Sequence, residues 1–149
     1  MNRNQLQLEV CKALLNPLKR CAGAFINEDE FAITTDGFTA FVIPKNECIF
    51  DITKVKNFDG IKQVCEDKET DVEIKKTKQL FYGENRIIEK YIGENLVVYA
   101  DSKVGKIFGG YRFYASSREG RILVKDSFNR LIGLFFPVKY DESVVTKND

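Results

Sequence analysis

Apolar residues near the start of the chain recur three and four positions apart, at Leu6, Val10, Ala13, Leu14, Leu18 and Cys21. That spacing lays them along one stripe of a helix covering about residues 4–20. Asn2 or Asn4 can cap its start, Pro17 kinks it or marks its last turn, and Gly23 ends it. Short strand-like runs follow at residues 24–27, 31–35 and 38–43. Asp36-Gly37 lies between the last two, a hairpin signal because both central residues of such a turn need positive φ. Pro44 closes the third run and residues 48–52 form a fourth. Thr53 can then cap a second helix, with Val55, Phe58, Ile61, Val64 and Cys65 on its buried face.

Beyond Lys68 the period changes to two. Val72 and Ile74, then residues 80–82, 86–92 and 96–99, read as strands, and Gly105, Gly109 and Gly110 interrupt the pattern. Residues 111–115, 122–125 and 131–138 make a final meander with turns at 117–120 and 126–129. The stretch 141–149 is a polar tail. No low-complexity linker divides the chain, so the pattern predicts one domain over residues 1–140. Its class is α+β, with two amphipathic helices packed on a largely antiparallel sheet.

Composition narrows the chemistry. The 149 residues hold no histidine and no tryptophan, which removes imidazole bases, Ser-His-Asp and Cys-His pairs and mixed Cys/His zinc sites. Cys11, Cys21, Cys48 and Cys65 form no Cys-x-x-Cys pair, and no metal or other cofactor is expected. Neither a signal-peptide core nor a membrane span is visible, so the expectation is a reduced, cytoplasmic protein with no membrane partner. The formal charge of +1 conceals a segregated distribution. Residues 1–22 are basic, 23–53 acidic, and 103–130 basic again with seven cations against two carboxylates. Near-neutrality therefore does not exclude an anionic partner.

Several runs taken in order resemble one family. Phe31 to Pro44, with Thr35-Asp36-Gly37 at its turn, looks like the strand, turn and strand element of DNA sliding clamps of the bacterial polymerase type. Phe50 to Val64, through Asp51-Ile52-Thr53-Lys54, is similar to the strand and helix that follow in a clamp domain. Ile122 to Asp126 and Leu131 to Lys139 resemble the clamp's terminal hairpin, which ends in an aliphatic run and a proline followed by an apolar and a basic residue. The resemblance implies a clamp-like fold and a non-enzymatic binding module, a DNA-associated accessory protein in the first reading. Three departures stand out. A clamp chain strings three such domains together where this chain has room for one, so a ring would need self-association. Phe38-Thr39 replaces the family's basic pair after Thr-Asp-Gly, and residues 93–119 look like an insertion.

Two sets of site residues follow. The helices that line a clamp's hole would correspond to Lys12, Lys19, Arg20, Lys54, Lys56 and Lys62. The late basic and aromatic stretch adds Arg112, Arg118 and Arg121 as nucleic-acid contacts, since bases interleaved with rings suit phosphates and stacked nucleobases. The plainer account of that stretch is strand alternation, with rings in the core and charges in water. The second set, Thr35, Phe38, Ala40, Phe136, Pro137 and Val138, would form a groove for a protein partner's peptide, against the plainer account of one buried strand face. An adaptor that keeps the fold without binding DNA is the alternative. A third reading, a Mg²⁺-dependent nuclease built on Asp59, Glu73 and Lys75, competes with ordinary exposed charges on a strand.

Overall fold

Residues 3–16 and 21–142 are described by the computed structural model. Its elements run α1 (Arg3–Leu15), β1 (Ala22–Phe25), β2 (Glu30–Thr34), β3 (Thr39–Pro44), β4 (Lys56–Asn57), α2 (Ile61–Val64), β5 (Val72–Tyr82), β6 (Ile87–Gly93), β7 (Leu96–Asp101), α3 (Ser102–Ile107), β8 (Arg112–Ala115), β9 (Ile122–Lys125) and β10 (Leu131–Phe135). The strands form one ten-stranded mixed sheet in the order β4-β1-β2-β3-β10-β9-β8-β5-β6-β7. Every pairing is antiparallel except that of the short edge strand β4 with β1. With three helices among the described residues, the class is α+β.

Side-chain alternation sorts the core onto two faces of this sheet. On one face Phe31, Ile33 and Ile43 pack beneath Val10 and Ala13 of α1. Phe41 joins that cluster to a second on the same face, where Tyr91, Val98, Phe113, Val124 and Phe135 surround Phe108 at the end of α3. The opposite face carries Ala24, Ala32, Ala40, Val42, Leu123 and Leu134 beneath Ile61 and Cys65 of the α2 segment. The small residues of β1, β2 and β3 therefore face α2, and the large ones face α1.

The sheet also curls. Four strands separate β10 from β7 in the hydrogen-bonded order, yet the Val138 amide, just beyond β10, donates to the Tyr99 carbonyl of β7 at 2.8 Å. Residues 93–119, expected as an insertion, are woven into this half: they supply β7, α3 and β8, and β8 lies between β5 and β9.

Several local expectations are corrected. The first helix ends at Leu15, because Asn16 precedes a proline and that position disfavours helical backbone. Pro17 and Leu18, Asn2 and the side chain of Leu6 lie outside the described residues. Gly23 is a strand residue rather than a helix end, and an added Cβ there would collide with the Ala32 carbonyl. Residues 48–52 form no strand, because the buried Gln7 side chain takes the Ile49 amide at 2.5 Å and donates to the Glu47 carbonyl at 2.8 Å. The helix expected after Thr53 shrinks to the single turn α2. Asp51 caps a 3-10 turn over Ile52–Lys54, and the chain then runs extended beside β1, with the Phe58 amide donating to the Gly23 carbonyl at 2.9 Å. In the β2–β3 turn only Gly37 has positive φ (82°). The Asp36 carboxylate stabilises that turn instead, accepting from the amides of Phe38 and Thr39 at 2.8 Å each. The two runs expected around Ile74 and residues 80–82 are one strand, β5, with an irregularity at Lys78 (φ 65°). A short helix that the pattern did not reveal, α3, is capped by Asp101, which accepts from the Lys103 amide at 2.9 Å.

Candidate functional site: an apolar pocket beside the Thr-Asp-Gly turn

β3 and β10 pair antiparallel with Leu134 opposite Ala40, and the Phe136 amide continues the ladder to the Phe38 carbonyl at 3.1 Å. That pairing places the β2–β3 turn beside the end of β10. The extended segment after β4 then brings Phe58 and the first residue of α2 against the same edge. The result is a pocket of about 190 Å³ lined chiefly by Phe38, Phe58, Ile61, Val64, Leu134 and Phe136, with Thr34, Gly37, Thr39 and Ala40 completing its wall. Ala40, Ile61 and Leu134 form its buried floor, while Phe38, Phe58 and Phe136 are 70%, 47% and 37% exposed at its mouth. Three rings in contact with water around an apolar depression are the unusual feature, since large side chains of this kind normally turn inward.

Of the six residues expected to form a groove, Phe38, Ala40 and Phe136 meet in this pocket. The other three do not. Thr35 lines a separate cleft with Glu9, Lys12, Ala13 and Asn16, whereas Pro137 and Val138 line one beside Arg118 and Tyr140. Phe58, Ile61 and Val64 belong to the site although their spacing of three marks them as the buried face of a longer helix. The exposed Phe58 is where that reading fails.

The candidate nucleic-acid contacts are scattered. Lys12 and Lys62 are exposed on α1 and α2, which lie on opposite faces of the sheet. Lys54 and Lys56 are exposed at the β4 edge and Arg112 on β8. Lys19 and Arg20 lie outside the described residues. Arg118 is exposed but engaged, its guanidinium donating to the Tyr140 carbonyl at 2.5 Å and stacking 5.5 Å from the Tyr99 ring centre. Among the rings of the late basic stretch, Phe108 and Phe113 are buried in the core.

Arg121 is a correction: it is 4% exposed and serves as a structural staple. Its guanidinium makes a two-pronged pair with Asp71 at 2.6 and 2.9 Å, and also donates to the carbonyls of Val64 at 3.2 Å and Glu66 at 2.7 Å. Ser116 and the Lys68 amide donate to the same carboxylate at 2.5 and 2.8 Å. This network fixes the end of α2, and with it one wall of the pocket, to β8, β9 and the start of β5. Burial pushes the Asp71 carboxyl up, but the hydrogen bonds of Arg121, Ser116 and Lys68 outweigh burial and hold it at about 2. A carboxyl depressed in the folded state adds stability above its unfolded value near 3.8 and loses it as the pH falls toward 2. Unfolding free energies from urea titrations between pH 5 and pH 2 are therefore expected to fall by about 2 kcal/mol more in the wild type than in Asp71→Asn. Parallel curves would remove that contribution.

The nuclease residues are apart in the sheet. Glu73 and Lys75 lie on β5, while Asp59 follows β4, and six strands lie between β4 and β5 in the hydrogen-bonded order. No group of three or more potential ligand side chains among the described residues is placed to hold a metal ion. The cysteines among them are free thiols. No helix among the described residues is long and apolar enough to cross a membrane. No protein-family model, no curated protein and no solved structure matches the chain.

Proposed function

We propose that this chain is a non-enzymatic, clamp-like binding module that captures a protein partner by inserting one apolar side chain of a short partner segment between Phe38, Phe58 and Phe136. The carrying observation is the pocket itself, a depression with an aliphatic floor and a rim of three exposed rings. Its volume of about 190 Å³ suits a leucine- or phenylalanine-sized side chain, whereas pockets for drug-sized ligands run ~300–1,000 Å³. Sockets that take individual side chains are what give peptide grooves their selectivity. The clamp resemblance supports the same place, because the Thr-Asp-Gly turn and the terminal strand that carry it lie side by side through the β3–β10 pairing.

Association with DNA is the wider form of the proposal. What favours it is that α1 and α3 share one face of the sheet and present Lys12, Lys103 and Lys106 to solvent. Binding of that kind would weaken steeply with salt. The absence of any mobility shift at low salt would leave the adaptor reading alone.

A displayed library of random nonapeptides, selected on the wild-type chain, tests the pocket. The selected peptides are expected to share one large apolar residue and to bind Phe38→Asp at least ~30-fold more weakly, about 2 kcal/mol. Peptides that bind the variant as well as the wild type would place the binding surface elsewhere.

A further inference from the structure

Beyond Phe136 the chain leaves the sheet as a strap, residues 136–142, without strand or extended helix structure. It is nonetheless fastened along its length. The Phe136 amide is bound to Phe38, and the Val138 amide to Tyr99. The Tyr140 ring packs against both Phe81 and Tyr99, with ring centres 4.9 and 5.2 Å away. Arg118 grips the Tyr140 carbonyl from one side while covering the Tyr99 ring. At the far end Glu142 pairs with Lys90 at 3.3 Å. The first residue of this strap is also a wall of the apolar pocket. Pro137, whose ring fixes φ, stands between that wall and the fastened part and removes one of the rotations that could absorb a displacement.

We propose that the strap is a clasp, and that its closure over Phe81 and Tyr99 holds Phe136 in the position that makes the pocket competent to bind. The inference rests on the reading of that pocket as a peptide site and adds its regulation. Since the pocket is formed with the clasp closed, opening the clasp frees Phe136 and the pocket must be ordered again on binding. Peptide binding and clasp closure then favour each other, and by linkage each changes the other by the same factor.

Amide hydrogen exchange on the full chain, read with and without a peptide selected as above, tests this. Tyr140→Ala is expected to speed exchange about tenfold at Phe136 as well as at Val138, and to weaken the peptide about tenfold. In the wild type the peptide is expected to slow exchange at Val138, which lies outside the pocket. Tyr140→Phe, which keeps the ring, should behave as wild type; this control separates loss of the clasp from a general loss of structure. Faster exchange at Val138 alone, with Phe136 and the affinity unchanged, would overturn the clasp. If no peptide is selected at all, the binding reading falls. The clasp is then judged by Phe136 exchange in Tyr140→Ala, and an unchanged rate there rejects it.

Discussion

Arg121→Met is expected to destabilise the fold by about 3–5 kcal/mol, because it removes one partner of a buried ion pair and strands the other. Asp71 would be left with a 10% exposed side chain and no opposing guanidinium, and the carbonyls of Val64 and Glu66 would lose their donor. Arg121→Lys should recover only part of this, since an ammonium cannot reproduce the fork geometry. The double variant Arg121→Met with Asp71→Leu should lie well above Arg121→Met alone in stability, as paired replacement of a buried ion pair by apolar groups often costs little. A urea-unfolding double-mutant cycle measures this. Single losses below about 1 kcal/mol that simply add would show the pair to be no staple.

Phe135→Ala is expected to cost a similar amount, about 3–5 kcal/mol, for a different reason. The ring is 1% exposed and sits where three others converge. It stacks on Phe108 with centres 5.9 Å apart, makes an edge contact with Phe113 at 6.0 Å and packs at a tilt against Tyr91 at 6.4 Å. Removing it opens a void at the junction of β10, β6, β8 and the end of α3, where the neighbouring rings are too constrained to collapse. Phe135→Leu should retain about half of the lost stability. Thermal unfolding of both variants checks this, and an alanine variant within about 1 kcal/mol of wild type would mean that the site repacks. The adjacent Phe136→Ala should cost far less stability, since its ring faces the pocket and water.

These neighbours also show what the sequence made legible. Period-two alternation placed most strands of the second half close to their observed bounds, and residues 122–125 coincide with β9. It erred where a side chain rather than the ladder claims a backbone group. Gln7 takes the Ile49 amide and Asp51 caps the following turn, so residues 48–52 carry a strand's pattern without forming one. The second helix failed for a related reason. Phe58, Ile61 and Val64 have helical spacing, but the chain before Ile61 is drawn along β1 as an edge strand. α3 was hidden by Gly105, which reads as a breaker. That glycine is required, because a Cβ there would come within 2.5 Å of the Tyr91 hydroxyl.

Of the ten residues that line the candidate site, three were legible in the sequence. Phe38, Ala40 and Phe136 follow from the turn and the terminal strand, both of which are local patterns. Phe58, Ile61, Val64 and Leu134 enter the pocket through tertiary packing of α2 over β3 and β10, which no local pattern encodes. Arg121 misled for the opposite reason. A cation in a basic run looks available until the fold sets Asp71, Ser116 and two carbonyls around it.

The most direct measurement is a methyl chemical-shift map of the full chain titrated with a peptide selected on it. Binding at the three-ring pocket predicts shifts at the methyls of Ala40, Ile61, Val64 and Leu134, with those of Val10 and Ala13 on α1 unmoved. Shifts confined to the α1 and α3 face, or the same shifts in Phe38→Asp, would contradict it.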